Sequence, residues 1–167
     1  AILLKKNFNT EKSIARKLLQ LKQEASNFRV DVDHEVARFE KDAGFSLHEN
    51  QIAAVRETIE NGVQIVTGGP GTGKTTIVKC ILKLFKDLGQ RVALCAPTGR
   101  AAKRLSQATG EDAKTIHRML DLDYKNGEGH FTYNENTRLP VDVVIVDEVS
   151  MVDEYVFSAL INALERG

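Results

Sequence analysis

The feature that most constrains the fold is a glycine-rich loop between an apolar run and an amphipathic helical pattern. Residues 68–75 read Gly-Gly-Pro-Gly-Thr-Gly-Lys-Thr and match the pattern GxxxxGK[ST]. Glycines let a loop turn tightly and point its backbone N–H groups inward, which creates a site for anions. The positive end of the dipole of the following helix strengthens that site. Because the apolar residues 63–67 precede the loop, the sequence predicts a strand, a phosphate-binding loop and a helix, in that order.

The loop also predicts individual contacts to ATP and Mg²⁺. The Lys74 ammonium group can reach the β- and γ-phosphates, and the Thr75 hydroxyl can ligate Mg²⁺. The hydroxyl of Thr76 can approach the α-phosphate. The residues expected to bind the nucleotide here are Gly69, Gly71, Thr72, Gly73, Lys74, Thr75 and Thr76.

A second candidate site follows the apolar run at residues 143–146, where Asp147 and Glu148 come next. Carboxylates at the carboxyl end of a parallel strand lie in the ligand crevice of an α/β sheet. We expect Asp147 to hold Mg²⁺, through a water molecule, because this ion gives up its hydration reluctantly. Glu148 is then placed to orient or deprotonate an attacking water, as a catalytic residue beside Lys74 and Asp147. The alternative interpretation is a solvated acidic turn.

The order of apolar patterns predicts the fold class. Continuous apolar runs at residues 63–67, 92–96 and 143–146 alternate with helical patterns, which indicates an α/β parallel sheet flanked by helices. A helix over 98–108, a short helix near Ile116, a loop or a small hairpin around residues 126–127 and a helix over 152–164 complete the pattern. We expect a helical accessory segment at 1–45 and a motor-type α/β domain at 46–167.

The first 60 residues carry helical signals. Ile14, Leu18, Leu21, Ala25 and Phe28 lie on one face of a predicted helix. Its N-cap is expected at Thr10 or Asn9. Another helix should carry Val32, Val36 and Phe39 and end near Gly44. Ser46 and Glu49 have the spacing of a capping box at the start of the next helix.

Composition excludes several classes of protein. The 23 basic and 23 acidic side chains balance, so a nucleic-acid site must be a local basic stretch. Cys80 and Cys95 lack the spacing of a metal site and are expected to be buried thiols in a reducing cytoplasm. No run approaches the roughly 20 apolar residues of a membrane helix. Both ends look like cuts through a longer protein.

Five stretches together resemble a known family, the superfamily-one DNA helicases of the RecD type, which include the alpha subunit of exodeoxyribonuclease V. Residues 47–51 resemble the family's Q motif, and this likeness implies that Gln51 reads adenine. The loop at 68–76 is its phosphate loop. Residues 95–105 and 115–120 resemble motif Ia and the next DNA-facing segment, and residues 147–153 resemble its second acidic motif. The likeness implies a P-loop NTPase (RecA-like) fold, ATP and Mg²⁺ as ligands, and an ATP-dependent helicase that moves 5′ to 3′ on single-stranded DNA.

The middle of the chain supplies the expected DNA contacts. Hydroxyl groups and cationic side chains are what phosphate contacts use, and such contacts follow a strand without reading its bases. We expect Thr98 and His117 to contact the strand, together with Arg100 and Arg118. The alternative is a solvated helix face, on which Arg100 and Arg104, one turn apart, form surface ion pairs.

The chain also departs from this family, because nothing in it matches the later motifs. A helicase of this class binds ATP between two motor domains, and the second supplies an arginine to the transition state. We therefore expect half a nucleotide site, with weak nucleotide binding and very slow hydrolysis by this chain alone. The second motor domain, and possible subunits of a nuclease–helicase complex, are the partners that the resemblance implies. Three alternatives stay open: the helicase half of a conjugative relaxase, a P-loop phosphotransferase, and a non-catalytic docking module.

Overall fold

The structure is a computed structural model that describes residues 5–23, 29–68, 71–125 and 128–164. The chain divides into two compact units. One, the helical unit, contains Leu21–Gln90. The other, the sheet unit, is built mainly from the residues that follow Gln90. It also includes most of the first helix, α1, which spans Lys5–Gln23. None of the described helices combines the length and the apolar character needed to cross a membrane.

Three helices form the helical unit: α2 (Val32–Ala43), α3 (Glu49–Glu60) and α4 (Lys74–Asp87). Asp31 caps α2 by accepting a hydrogen bond of 3.1 Å from the backbone of His34. That helix ends at Gly44, whose φ of 76° is the left-handed conformation that glycine adopts without strain. The apolar residues predicted for α2 are all buried, so this part of the pattern is confirmed. Helix α4 buries Ile77, Cys80, Ile81, Leu82, Leu84 and Phe85.

The sheet unit is built on a parallel sheet of order β2–β1–β5. Its strands are β1 (Val92–Ala96), β2 (Ala113–Thr115) and β5 (Val143–Val146). Ala96 pairs with Thr115 on one side, and Cys95 pairs with Val146 on the other. The strands β3 (Leu122–Lys125) and β4 (Glu128–Phe131) form a separate antiparallel hairpin. The parallel sheet confirms the predicted fold class, whereas β2 was not predicted from the sequence.

Helices α5 (Gly99–Thr109), α6 (Ile116–Met119) and α7 (Glu154–Asn162) pack with this sheet unit. Its main apolar cluster contains Cys95, Ile116, Leu120 and Leu160, each at most 1% exposed. Arg138 closes the end of α7 by donating hydrogen bonds to the carbonyl groups of Asn162 and Leu164. A cation at this end also suits the negative pole of the helix dipole.

Asp142 and Arg91 join the neighbouring strands β1 and β5 where these two strands begin. The Asp142 carboxylate accepts hydrogen bonds from Arg91 N at 2.7 Å, Nε at 3.0 Å and Nη2 at 2.8 Å. These bonds hold the pKa of Asp142 at about 2, below its ordinary value of 3.8. Because Arg91 precedes β1 and Asp142 precedes β5, the pair sets the register in which Val92 lies beside Val143.

Some local predictions were wrong. Residues 63–68 form no strand, and Ile65 is 72% exposed. A strand needs a neighbouring strand to satisfy its backbone groups, and among the described residues this segment pairs with none. Helix α1 begins at Lys5, so Asn9 and Thr10 lie inside it and do not cap it. Ala25, Phe28 and the turn at 126–127 lie outside the described residues.

The predicted capping box at Ser46 and Glu49 was also wrong. Helix α3 begins at Glu49 with His48 as its N-cap. Gln51 Oε1 accepts a hydrogen bond of 2.9 Å from the His48 backbone N–H. The box is therefore shifted by two residues from Ser46–Glu49 to His48–Gln51, because the glutamine side chain satisfies a free N–H group at the start of the helix.

Candidate nucleotide and nucleic-acid site

The phosphate loop leads directly into helix α4. Gly71 and Gly73 have φ values of 75° and 81°, conformations that favour glycine. Gly73 is the N-cap residue, so Lys74 is the first residue of the helix. The Lys74 ammonium group donates a hydrogen bond to the carbonyl oxygen of Gly68, which places the cation across the loop. Gly69 lies outside the described residues.

Gln51 connects helix α3 to this loop. Its Nε2 donates a hydrogen bond of 3.3 Å to the carbonyl oxygen of Gly73, while its Oε1 accepts from His48. Both polar atoms of the amide therefore have partners within the helical unit. The contact places Gln51 beside the last residue of the loop.

At two glycines of the loop, an added Cβ would force a neighbouring side chain to move. A Cβ at Gly73 would collide with the side-chain amide of Gln51. A Cβ at Gly68 would lie 2.5 Å from the Thr72 hydroxyl oxygen. Thr75 is exposed and Thr76 partly buried in the first turn of α4, where free N–H groups and the helix dipole attract anions. The residues present therefore fit a nucleotide phosphate, and the exposed Thr75 hydroxyl suits Mg²⁺.

The acidic pair lies in a tight turn directly after β5. The Asp147 backbone N–H donates to the Cys95 carbonyl oxygen at 2.9 Å, which extends the β5–β1 pairing by one bond. Glu148 has φ 52° and ψ 39°, the left-handed conformation that costs a residue with a side chain about 1–3 kcal/mol. The Asp147 carboxylate accepts a hydrogen bond of 2.9 Å from the Glu148 backbone.

The rest of this turn completes the link to α7. A short 3₁₀ helix covers Val149–Met151, and the Met151 N–H donates to the Glu148 carbonyl oxygen at 2.9 Å. Asp153 then caps α7 by accepting a hydrogen bond of 2.9 Å from Val156. Both carboxylates of the pair are exposed, and an exposed carboxylate oxygen is a ligand that Mg²⁺ accepts.

The parallel sheet brings three predicted segments to one edge. Thr98 follows β1, Thr115 ends β2, and Asp147 follows β5. Because the three strands are parallel and adjacent, their carboxyl ends meet at the same edge, where α/β proteins bind ligands. The sheet therefore places the basic segments and the acidic turn on the same side of the sheet unit.

Each predicted DNA contact has a definite place at this edge. Thr98 Oγ1 caps α5 by accepting a hydrogen bond of 3.2 Å from Ala101. Arg100 is exposed in the first turn of that helix. His117 and Arg118 are exposed on α6, which Thr115 caps by accepting 3.2 Å from the Arg118 backbone. The two hydroxyl groups thus position the helices that carry the cations.

Two further relationships at this edge were missed from the sequence. The His117 ring lies 6.0 Å from the ring of Phe131 on β4, which in turn lies 6.2 Å from the ring of Tyr155 on α7. Arg104 Nη1 lies 3.7 Å from Glu148 Oε1. The sequence spacing of these residues gives no signal for either contact; for Arg104 the structure shows a surface ion pair, the alternative that the sequence left open.

A family model described as an AAA domain matches residues 51–167. Among curated proteins, the chain is 40% identical over 127 residues to an ATP-dependent RecD2 DNA helicase from Deinococcus radiodurans, covering 76% of this chain and 17% of that protein. It is 37% identical to the RecBCD enzyme subunit RecD from Mycolicibacterium smegmatis, covering 73% of this chain and 26% of that protein. The same subunit from Haemophilus influenzae is 35% identical, and the match covers 69% of this chain and 21% of that protein. The chain thus spans about a fifth of the length of these relatives.

The parallel sheet, the phosphate loop and the family match define the class: the chain belongs to the AAA domain family of P-loop nucleotide-binding proteins. Within that class it is a RecD-like chain, similar to the motor region of RecD and RecD2 helicases. The resemblance inferred from the motifs is thereby confirmed.

Proposed function

We propose that the intact protein is an ATP-dependent DNA helicase or translocase, whose ATP hydrolysis is stimulated by single-stranded DNA. The observation that carries this proposal is the shared sheet edge, from which both the acidic turn and the basic helices emerge. ATP hydrolysis needs the carboxylates of the acidic turn, and binding of a DNA strand needs the cationic side chains of the basic helices. The names of the relatives, which include an ATP-dependent DNA helicase, support the same activity.

The residues take the following roles in this proposal. The phosphate loop binds the nucleotide through its backbone N–H groups, and Lys74 leaves the Gly68 carbonyl group to contact the β- and γ-phosphates. Thr75 and Asp147 hold Mg²⁺, which supplies neutralisation of phosphate charge when bound. Glu148 accepts a proton from the attacking water. Gln51, already beside Gly73, contacts the adenine.

Thr98, Arg100, His117 and Arg118 contact the DNA strand in this proposal. Cationic side chains and helix N-termini bind phosphates irrespective of base, so the contacts suit a motor that follows a strand. The family resemblance implies 5′ to 3′ movement, a second motor domain and, in some members, further subunits of a nuclease–helicase complex. We also propose that residues 1–45 form an accessory segment ahead of a motor domain at 46–167, and that this chain alone hydrolyses ATP very slowly.

The alternatives predict different behaviour. The helicase half of a conjugative relaxase would share the motor activity and differ only in the rest of the protein. A P-loop phosphotransferase would consume ATP only with a small acceptor and would ignore DNA. A docking module would bind nucleotide without any effect of DNA. The acidic turn with two exposed carboxylates favours hydrolysis over transfer, because water must be activated.

The test is ATP hydrolysis by the full parent protein, with and without single-stranded DNA. We expect strong stimulation by DNA and loss of turnover in Lys74→Ala and Glu148→Gln. Glu148→Gln should still bind nucleotide, because the phosphate loop is unchanged. Hydrolysis that ignores DNA would contradict the proposal.

A further inference from the structure

Arg104 and Glu148 connect the DNA-facing helix to the acidic turn. Arg104 lies on α5, which begins at Thr98 on the sheet edge, and Glu148 follows β5 at the same edge. The atoms Nη1 and Oε1 are 3.7 Å apart. The side chains are 60% and 37% exposed, so other charged groups can reach both of them.

The backbone around Glu148 leaves little other freedom. Its N–H donates to the Asp147 carboxylate, and its carbonyl oxygen accepts from Met151. Its φ of 52° lies in a narrow allowed region. The direction of the Glu148 carboxylate is therefore decided by side-chain rotation, and the guanidinium of Arg104 is the charged partner that the structure places beside it.

The Arg104 guanidinium group, on a helix proposed to face DNA, can bind either of two anions. One is the Glu148 carboxylate, whose Oε1 lies 3.7 Å from Arg104 Nη1. A phosphate of a bound strand offers a second, doubly hydrogen-bonded partner of the kind that arginine prefers. An exposed ion pair is weak, so a phosphate can displace it.

We propose that Arg104 is a positioning residue that holds Glu148 in a resting orientation, and that single-stranded DNA releases Glu148 by taking over the guanidinium group. This inference rests on the proposed function, since it assumes that Glu148 activates water. It supplies a direct physical path by which DNA binding raises ATP hydrolysis. Arg104 acts through Glu148 and does not itself contact the reacting atoms.

The test compares the wild type, Arg104→Ala, Arg104→Lys and Lys103→Ala in the full parent protein. Lys103 is the exposed neighbour on the same helix, and the described residues place no carboxylate within ion-pair distance of it. We expect Arg104→Ala to raise the DNA-free kcat about two- to fivefold, the range set by an exposed ion pair, with KM for ATP unchanged. Arg104→Lys should keep most of the restraint, and Lys103→Ala should match the wild type without DNA.

The outcomes separate this inference from the proposed function. If DNA stimulates the wild type and Arg104→Ala has an unchanged or lower DNA-free kcat, the resting contact is wrong while the motor activity stands. If Lys103→Ala raises the DNA-free kcat as much as Arg104→Ala, general charge is responsible and the inference is again wrong. If DNA has no effect on the wild type, both fail. A rise in rate cannot come from simple loss of structure, and Arg104→Ala combined with Glu148→Gln should be inactive.

Discussion

The side-chain amide of Gln51 donates a hydrogen bond of 3.3 Å to the carbonyl oxygen of Gly73, so helix α3 is attached to the glycine-rich loop. The same amide accepts from the His48 backbone, which fixes the start of α3. The Gln51 side chain therefore stabilises both the N-terminal end of α3 and the position of the Gly73 carbonyl group in the loop. If Gln51 also contacts adenine, base recognition and loop position are coupled through a single group.

Gln51→Glu tests this coupling. The carboxylate keeps the acceptor for His48 but places an oxygen where Nε2 faced the Gly73 carbonyl group. We expect a loss of about 1 kcal/mol in the free energy of unfolding, as for one hydrogen bond, and weaker ATP binding. Urea unfolding and fluorescent-nucleotide titration measure the two effects. Gln90→Glu is the control, because Gln90 makes a similar bond to the Leu88 carbonyl oxygen. Equal ATP affinity in both variants would contradict the coupling.

Gly73→Ala should impair the loop more than a general glycine effect does. The backbone at position 73 has a positive φ of 81°, which strains any residue with a side chain. The new Cβ also collides with the side-chain amide of Gln51 and displaces it. Gly89→Ala is matched in backbone, with φ 75°, but its Cβ meets nothing within 4 Å. Each should lose about 1 kcal/mol of stability from the left-handed conformation, and Gly73→Ala should in addition lose ATP binding. The prediction fails if the two variants bind ATP alike.

The lowered pKa of Asp142 should make the free energy of unfolding depend on pH at the acidic end. Its pKa is about 2 when folded and near 3.8 when exposed, because Arg91 stabilises the carboxylate. The folded pKa is the lower one, so the contribution is complete above about pH 4 and is lost as the pH falls towards 2. The pair is partly exposed, which limits its contribution to about 1 kcal/mol. Asp142→Asn should be less stable than the wild type at pH 7 and equal to it near pH 2 in urea unfolding. A constant difference across this range would rule out the linkage.

Cys80 and Cys95 should be unreactive in the folded chain. Both are at most 1% exposed. Burial raises the pKa of Cys80 to about 11 and that of Cys95 to about 12, so almost no thiolate is present at neutral pH. A thiol reagent at pH 7.5, chosen as roughly one unit below an ordinary thiol pKa, should label neither cysteine until denaturant is added. Rapid labelling of native protein would show that these positions open.

Periodicity and spacing predicted most of the regular elements. The apolar runs at 92–96 and 143–146 became β1 and β5, and the stripe of Val32, Val36 and Phe39 became the buried face of α2. The segment predicted to be a loop or a small hairpin forms the hairpin of β3 and β4. These predictions succeeded because apolar burial and turn chemistry act between residues close together in the chain.

The errors in the strands concern pairing between distant residues, whereas the capping error is local. Residues 63–67 have the composition of a strand, but a strand exists only where another strand satisfies its backbone groups. Conversely, β2 has only three residues and no apolar pattern, yet it pairs with β1. The capping box moved to His48 and Gln51 because a glutamine reached a free N–H group as well as the predicted glutamate could have done.

The sequence by itself determined the phosphate loop, the acidic pair, the family and most of the helices, because each depends on residue types at short, fixed spacings. Only the tertiary structure decided that Gln51 bonds to Gly73, that Arg104 faces Glu148, and that His117 lies beside Phe131. Those contacts join residues 14 to 44 positions apart, and they arise when helices and strands pack together. No local pattern encodes which side chains then meet, since that depends on the direction in which each packed element leaves the sheet or the loop.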